Sequence, residues 1–126
     1  MDKTFFLDIF NKILKYGEKE VKIVFDKTGN IWFGLRDILK MLEYKNYKKA
    51  LYNINISKNN KKKYIDIEVL LKGYLVKNLH PNTIFINESG LYQLLSHSTK
   101  PIAKLFMDKY FTEIMPQIRK TGTRNE

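Results

Sequence analysis

The chain has 126 residues, 44% of them hydrophobic and 13% aromatic, enough to build one core but too few for a large multidomain enzyme and too apolar for an intrinsically disordered segment. It has no cysteine and only two histidines, His80 and His97, so a disulfide framework, a thiolate or histidine metal centre and a cysteine nucleophile are all disfavoured. Its 23 Lys and Arg against 13 Asp and Glu give a formal charge of +10 and point to a polyanionic partner, the excess lying early: residues 1–63 hold 15 basic and 7 acidic side chains, residues 64–126 hold 8 and 6.

Residues 4–16 place Phe6, Ile9, Phe10, Ile13 and Leu14 on one face of a helix, with Thr4 as its cap and Gly17 beyond its end. Val21, Ile23 and Phe25 then alternate, Asp26 to Asn30 supply turn chemistry, and Ile31-Trp32-Phe33 resume the apolar run, which predicts a β-hairpin with a five-residue loop. After Gly34 the period changes to that of a helix. Leu35, Ile38, Leu39 and Leu42 share a face over 35–42, and after a break of a few residues Ala50, Leu51 and Ile54 share another over 47–54. Two short helices across a tight turn form a helix-turn-helix-like pair. Residues 55–63, rich in Asn and Lys, read as an exposed basic loop.

From Tyr64 the alternation of Ile65, Ile67 and Val69 with Asp66 and Glu68 predicts a strand over 64–69, while residues 70–79 fit strand or helix equally well. His80-Pro81-Asn82 marks a turn and Thr83 to Ile86 a strand; Asn87 caps a helix over 88–95. The last helix, 101–115, has Ser98 or Thr99 as its cap, Pro101 in its first turn and a stripe of Ala103, Phe106, Met107, Tyr110, Phe111 and Ile114; Pro116 ends or kinks it. No apolar run approaches the ~20 residues of a membrane span, and the N-terminus lacks signal-peptide character, so the chain reads as intracellular.

The densest functional signal is Lys40 to Lys63, with eight lysines and the single acid Glu43. Lysines on a helix and the adjoining segment can replace the counterions condensed on a duplex. Lys45, Lys48 and Lys49 form one candidate group and Lys61, Lys62 and Lys63 a second, while Asn46 is the candidate base or sugar contact. The tyrosines among them, at 44, 47, 52 and 64, fit core or boundary positions better than stacking platforms. Catalysis finds little support. Ser89 in Asn87-Glu88-Ser89-Gly90 fits helix capping better than a nucleophile elbow, His97 has no orienting carboxylate in view, and no Gly-rich phosphate loop is present.

Four segments, Ile31 to Leu39, Leu42 to Leu51, Phe85 to Tyr92 and Met115 to Gly122, resemble the Bro-N domain in order and character across residues 20–122. This is the N-terminal module of baculovirus repeated-ORF proteins, many phage antirepressors and proteins of large DNA viruses. The resemblance implies an α+β nucleic-acid-binding domain of a viral or prophage regulator, and Arg119 and Lys120 match its last motif. Where the family commonly has Leu-Gly-Tyr, this chain has Leu42-Glu43-Tyr44, placing a side chain where glycine would admit a left-handed turn. The helix at 4–16 extends the family's usual start. Family members often carry a further C-terminal domain, and this sequence ends soon after Gly122.

The expected architecture is therefore α+β: a small antiparallel sheet packed against several short helices, with an extension at 1–17, the Bro-N-like domain at 18–122 and a tail at 123–126. The expected function is non-enzymatic binding of double-stranded DNA in transcription or replication control, without metal or cofactor and without a membrane. The expected setting is the host cytoplasm or nucleus for a virus and the cytoplasm for a prophage. An RNA target stays open, as does a protein-interaction role of the antirepressor kind, with the apolar face of helix 4–16 as a dimer or partner surface.

Overall fold

A computed structural model of the chain describes residues 21–72, 79–114 and 116. The predicted helix at 4–16, the tail, and Arg119 and Lys120 lie outside the described residues. Five strands form one antiparallel sheet: β1 (Ile23–Asp26), β2 (Ile31–Gly34), β3 (Lys61–Lys63), β4 (Val69–Lys72) and β5 (Ile84–Asn87), in the order β3-β5-β2-β1-β4. The helices are α1 (Leu35–Met41), α2 (Tyr47–Asn53), α3 (Glu88–His97) and α4 (Pro101–Lys109). The α+β class and the antiparallel sheet are as the sequence predicts.

Strand alternation sorts the side chains into two cores. Ile23, Phe25, Ile31, Phe33 and Ile86 face the helices and pack with Leu35, Ile38, Leu39, Leu91, Leu94 and Phe106 in the main core. Val24, Trp32 and Phe85 point the other way and are closed over by Ile67, with Tyr64, Val69 and Leu79 around them. The central strands are thus apolar on both faces, which explains their unbroken hydrophobic runs. The β1–β2 turn is built around one carboxylate. Asp26, 8% exposed, accepts hydrogen bonds from the Thr28 amide at 3.0 Å and hydroxyl at 2.7 Å, the Asn30 amide at 2.9 Å and Trp32 Nε1 at 2.9 Å. Gly29 supplies the positive φ of 89° that this turn requires.

The α1–α2 turn closes through Glu43, at φ 68°. Its amide donates to Lys40 O and that of Tyr44 to Leu39 O, each at 3.0 Å, the paired bonds of a Schellman motif that normally places glycine at the left-handed residue. Glutamate takes that conformation here, so the departure from Leu-Gly-Tyr changes the residue and keeps the turn.

Three predicted elements differ. Residues 61–63, read as part of a loop, form the edge strand β3. The strand expected over 64–69 is instead a 3-10 turn at Tyr64–Asp66, after which β4 begins at Val69. The Tyr64 and Ile65 amides bond Thr83 O and Pro81 O, which leaves Ile65 67% exposed rather than inward. The last α-helix stops at Lys109 and continues as a π turn, Tyr110–Ile114, with Lys100 as its N-cap; Ser98 assists by accepting from the Lys100 amide at 3.2 Å. Tyr110 is fully buried and donates to Glu88 Oε2 at 3.0 Å; burial first, and then the Glu88 charge and hydrogen bond, push its phenol far above the ordinary value.

Candidate nucleic-acid interface

α2 begins where Asn46 Oδ1 accepts from the Lys49 amide at 3.0 Å, so the asparagine chosen as a base contact spends its acceptor on capping the helix. Ala50 is buried and Tyr47 and Leu51 pack partly inward, which turns Lys48, Lys49, Tyr52 and Asn53 to solvent. Helical spacing sets Lys49 and Tyr52 on the outward crest and Lys48 on the flank shared with Leu51. Tyr52 is 88% exposed, against its expected core or boundary position; Tyr44, Tyr47 and Tyr64 are half-buried as expected.

β3 follows α2 in the chain after only seven residues, 54–60. Its backbone pairs with β5, Lys61 opposite Ile86, Lys62 opposite Phe85 and Lys63 opposite Ile84. Cross-strand partners share a face, so Lys61 and Lys63 lie on the helix side of the sheet and Lys62 on the reverse. There the Lys62 ammonium sits 5.4 Å from the Trp32 ring centroid, in a surface shared with Lys27, Asp66 and Glu68. The expected triple-lysine grip is therefore divided: two cations join the side that carries α2, and the third enters a mixed-charge surface.

Between α1, α2 and β5 runs a cleft of about 560 Å³. Arg36, Lys48 and His80 line it above an apolar floor of Leu39, Leu51 and Ile84, the residue that pairs with Lys63. Its acid, Asp37, is engaged by the Lys22 amide at 2.9 Å and ammonium at 3.2 Å, leaving Arg36 and Lys48 unmatched. A second, shallower groove beside the α1–α2 turn is lined by Lys40, Glu43, Tyr44, Lys45 and Lys100. Lys22–Asp37 is the sole ion pair among the described residues, so Lys45, Lys48, Lys49, Lys61 and Lys63 all face solvent without one.

A polar network fixes β3 to the domain. Gln93 Oε1 accepts from the Ser57 amide at 3.1 Å and Asn60 Nδ2 at 2.9 Å, while Asn87 Nδ2 donates to Asn60 Oδ1 at 3.2 Å and Asn87 Oδ1 caps α3 through the Gly90 amide at 2.8 Å. Gly90 permits this approach, since a Cβ there would lie 3.0 Å from Asn60 O. The Asn87-Glu88-Ser89-Gly90 motif thus holds the basic strand in place. The cap reading of Asn87 holds, and His97 Nδ1 lies 2.9 Å from Gln93 O at the end of α3. Among the described residues no cluster of three His, Asp or Glu could hold a metal, and no helix is long and apolar enough to cross a membrane.

Arg36, Lys40, Tyr52 and Lys100 are the members of this surface that the sequence reading did not select. Arg36 and Tyr52 could have been found from helical phase alone, as the residues opposite the apolar stripes of their helices. Lys100 carries no such signal, because only the tertiary fold brings it to the α1–α2 turn.

Residues 20–116 match the family model described as the BRO family, N-terminal domain. An uncharacterized protein of Haemophilus influenzae is 35% identical over 102 residues, covering 81% of this chain and 46% of the relative. A Bro-N domain-containing protein of Invertebrate iridescent virus 3 is 33% identical over 105 residues, covering 73% and 26%, and one of Autographa californica nuclear polyhedrosis virus is 27% identical over 120 residues, covering 86% and 36%. The chain spans less than half the length of each of these three. No solved structure is significantly similar to it. With three quarters of its length inside the family model, the chain belongs to the BRO family and carries its N-terminal, Bro-N domain.

Proposed function

We propose that this domain is a non-enzymatic DNA-binding module of a viral or prophage regulator, gripping the duplex chiefly through its phosphates. The carrying observation is the run of unpaired cations, Lys45, Lys48 and Lys49 on α2 and its approach with Lys61 and Lys63 on β3, on the helix side of the sheet. Five such contacts correspond to a slope of log affinity against log salt near −4.5, about a 500-fold loss between 50 and 200 mM. The DNA concerned is in the host cytoplasm or nucleus for a virus, or in the cytoplasm for a prophage.

Fluorescence anisotropy with a random duplex over a salt series tests this. Lys48→Gln with Lys49→Gln should flatten the slope by about 2 without altering the melting temperature. A salt-insensitive interaction, or equal slopes for variant and parent, overturns it. Competition by matched duplex, single-stranded and RNA oligonucleotides ranks the targets, duplex DNA first. A single-stranded or RNA preference refutes the duplex assignment.

A further inference from the structure

We infer that the outer face of α4 is a self-association surface, on which a second copy of this chain packs antiparallel across a twofold axis, Lys104 of each copy pairing with Asp108 of the other.

α4 buries Ala103 and Phe106 and turns Pro101, Lys104, Leu105 and Asp108 to solvent. Leu105 is 60% exposed there. Beside the π turn that continues α4, Tyr92 of α3 is 55% exposed, with its ring edge-on to the half-buried Phe111 at a centroid distance of 6.1 Å. This apolar surface is balanced in charge where the chain as a whole is not. α3 carries no lysine or arginine, and the solvent-facing residues just named on α4 include one base and one acid, in a chain of formal charge +10. Two copies meeting through the lysines of α2 or β3 would bring like charges together; two copies meeting through α4 need not.

Lys104 and Asp108 stand one turn apart, yet neither makes an ion pair with the other or with any described residue. Their order disfavours a pair within the helix, since a base that precedes an acid by four residues pairs less well than the reverse. An antiparallel neighbour satisfies both. A twofold axis crossing α4 beside residue 106, midway between them, sets Lys104 against Asp108 of the second copy and Asp108 against its Lys104, an isologous contact in which one patch complements itself. The same rotation keeps the two Leu105 side chains on one flank of the helix pair, where each covers the other. A parallel neighbour in register would instead oppose lysine to lysine and aspartate to aspartate.

Sedimentation equilibrium of the full chain over a concentration series tests this, at about 0.15 M salt, where a screening length of about 8 Å damps the general repulsion between two basic copies. The parent should pass from monomer to dimer. Lys104→Glu and Asp108→Lys each turn both cross-axis contacts into repulsions and should each weaken self-association about tenfold or more. An equimolar mixture of the two variants, in which both contacts again join opposite charges, should associate as the parent does. Net charge alone would move the two variants in opposite directions, so a loss in both reads the contact itself. Leu105→Asp should also weaken the dimer, and because all three positions are exposed, melting curves should match the parent. A parent that stays monomeric overturns the self-pairing and leaves the face to a different partner. A dimer indifferent to Lys104→Glu, or two variants that fail to associate when mixed, overturns it as well and places the interface elsewhere, as on the apolar positions of residues 4–16. Duplex binding is read separately by the anisotropy titration and stands or falls on its own.

Discussion

Replacing Glu43 by glycine should stabilise this domain, although it removes a side chain. At φ 68° an L-residue crowds its own Cβ against the following carbonyl, at a cost of about 1 to 2 kcal/mol that glycine escapes. Glycine gives back about 0.5 to 1 kcal/mol through the greater freedom of the unfolded chain. Because the Glu43 side chain makes contacts of its own, the informative comparison is Glu43→Gly against Glu43→Ala, in which the side chain is absent from both. Glycine should be the more stable by about 1 kcal/mol, roughly 4 °C in melting temperature for a chain of this size, read by circular dichroism on heating and in urea. Both variants should also bind duplex more tightly than the parent, because each removes the one acid of the Lys40, Lys45 and Lys100 groove. Equal stability of the two would refute the claim that the turn carries left-handed strain; an alanine variant as weak in binding as the parent would refute the electrostatic role of the groove.

Three further outcomes follow from the geometry. Burial raises the Asp26 carboxyl, but its hydrogen bonds, led by that from Trp32, outweigh the effect and hold it below its usual value. Its contribution is thus present above the unfolded carboxylate range and lost as pH falls through the lower folded value; Asp26→Asn should cost about 1.5 to 3 kcal/mol in urea at pH 7 and progressively less on acidification below pH about 4, and a pH-independent gap would sink this account. Gly90→Ala gains helix propensity of up to about 1 kcal/mol yet presses a methyl onto Asn60 O, which is held by Gln93 and Asn87; a net loss of about 1 kcal/mol on thermal melting is expected, and a gain would show that the 57–60 turn yields freely. Lys63→Gln should weaken duplex affinity several-fold while Lys62→Gln changes it little, since the two side chains occupy opposite faces of β3; equal losses in a titration would refute the register argument.

Periodicity and capping made most of this fold readable. Leu35, Ile38 and Leu39 announce α1, Ala50 and Ile54 announce α2, and Asn87 announces α3, each within a residue or two of its observed end. β3 was hidden because a run of lysines has no apolar alternation; its strand character comes entirely from backbone pairing with β5. Ile65 and Ile67 alternate like a strand, yet Tyr64 and Ile65 bond the Pro81–Thr83 turn and coil instead, a tertiary demand that local pattern does not encode. The charge cluster was legible as composition, and its partition between faces was not, because one-residue alternation along β3 decides on which side each ammonium emerges. Asn46 reads in sequence as a base or sugar contact, yet its position directly before a helix gives capping the first claim on its side-chain carbonyl.

The placement of β3 at the rim of the sheet also bears on how variants must be handled. Among the described residues β3 is a terminal strand paired on one side only; such an edge invites annealing to a neighbouring molecule, and three consecutive ammonium groups keep such neighbours apart. Charge-removing substitutions at Lys61, Lys62 and Lys63 together would strip that protection, so light scattering should precede any affinity measurement on the triple variant, and single replacements are the safer instruments.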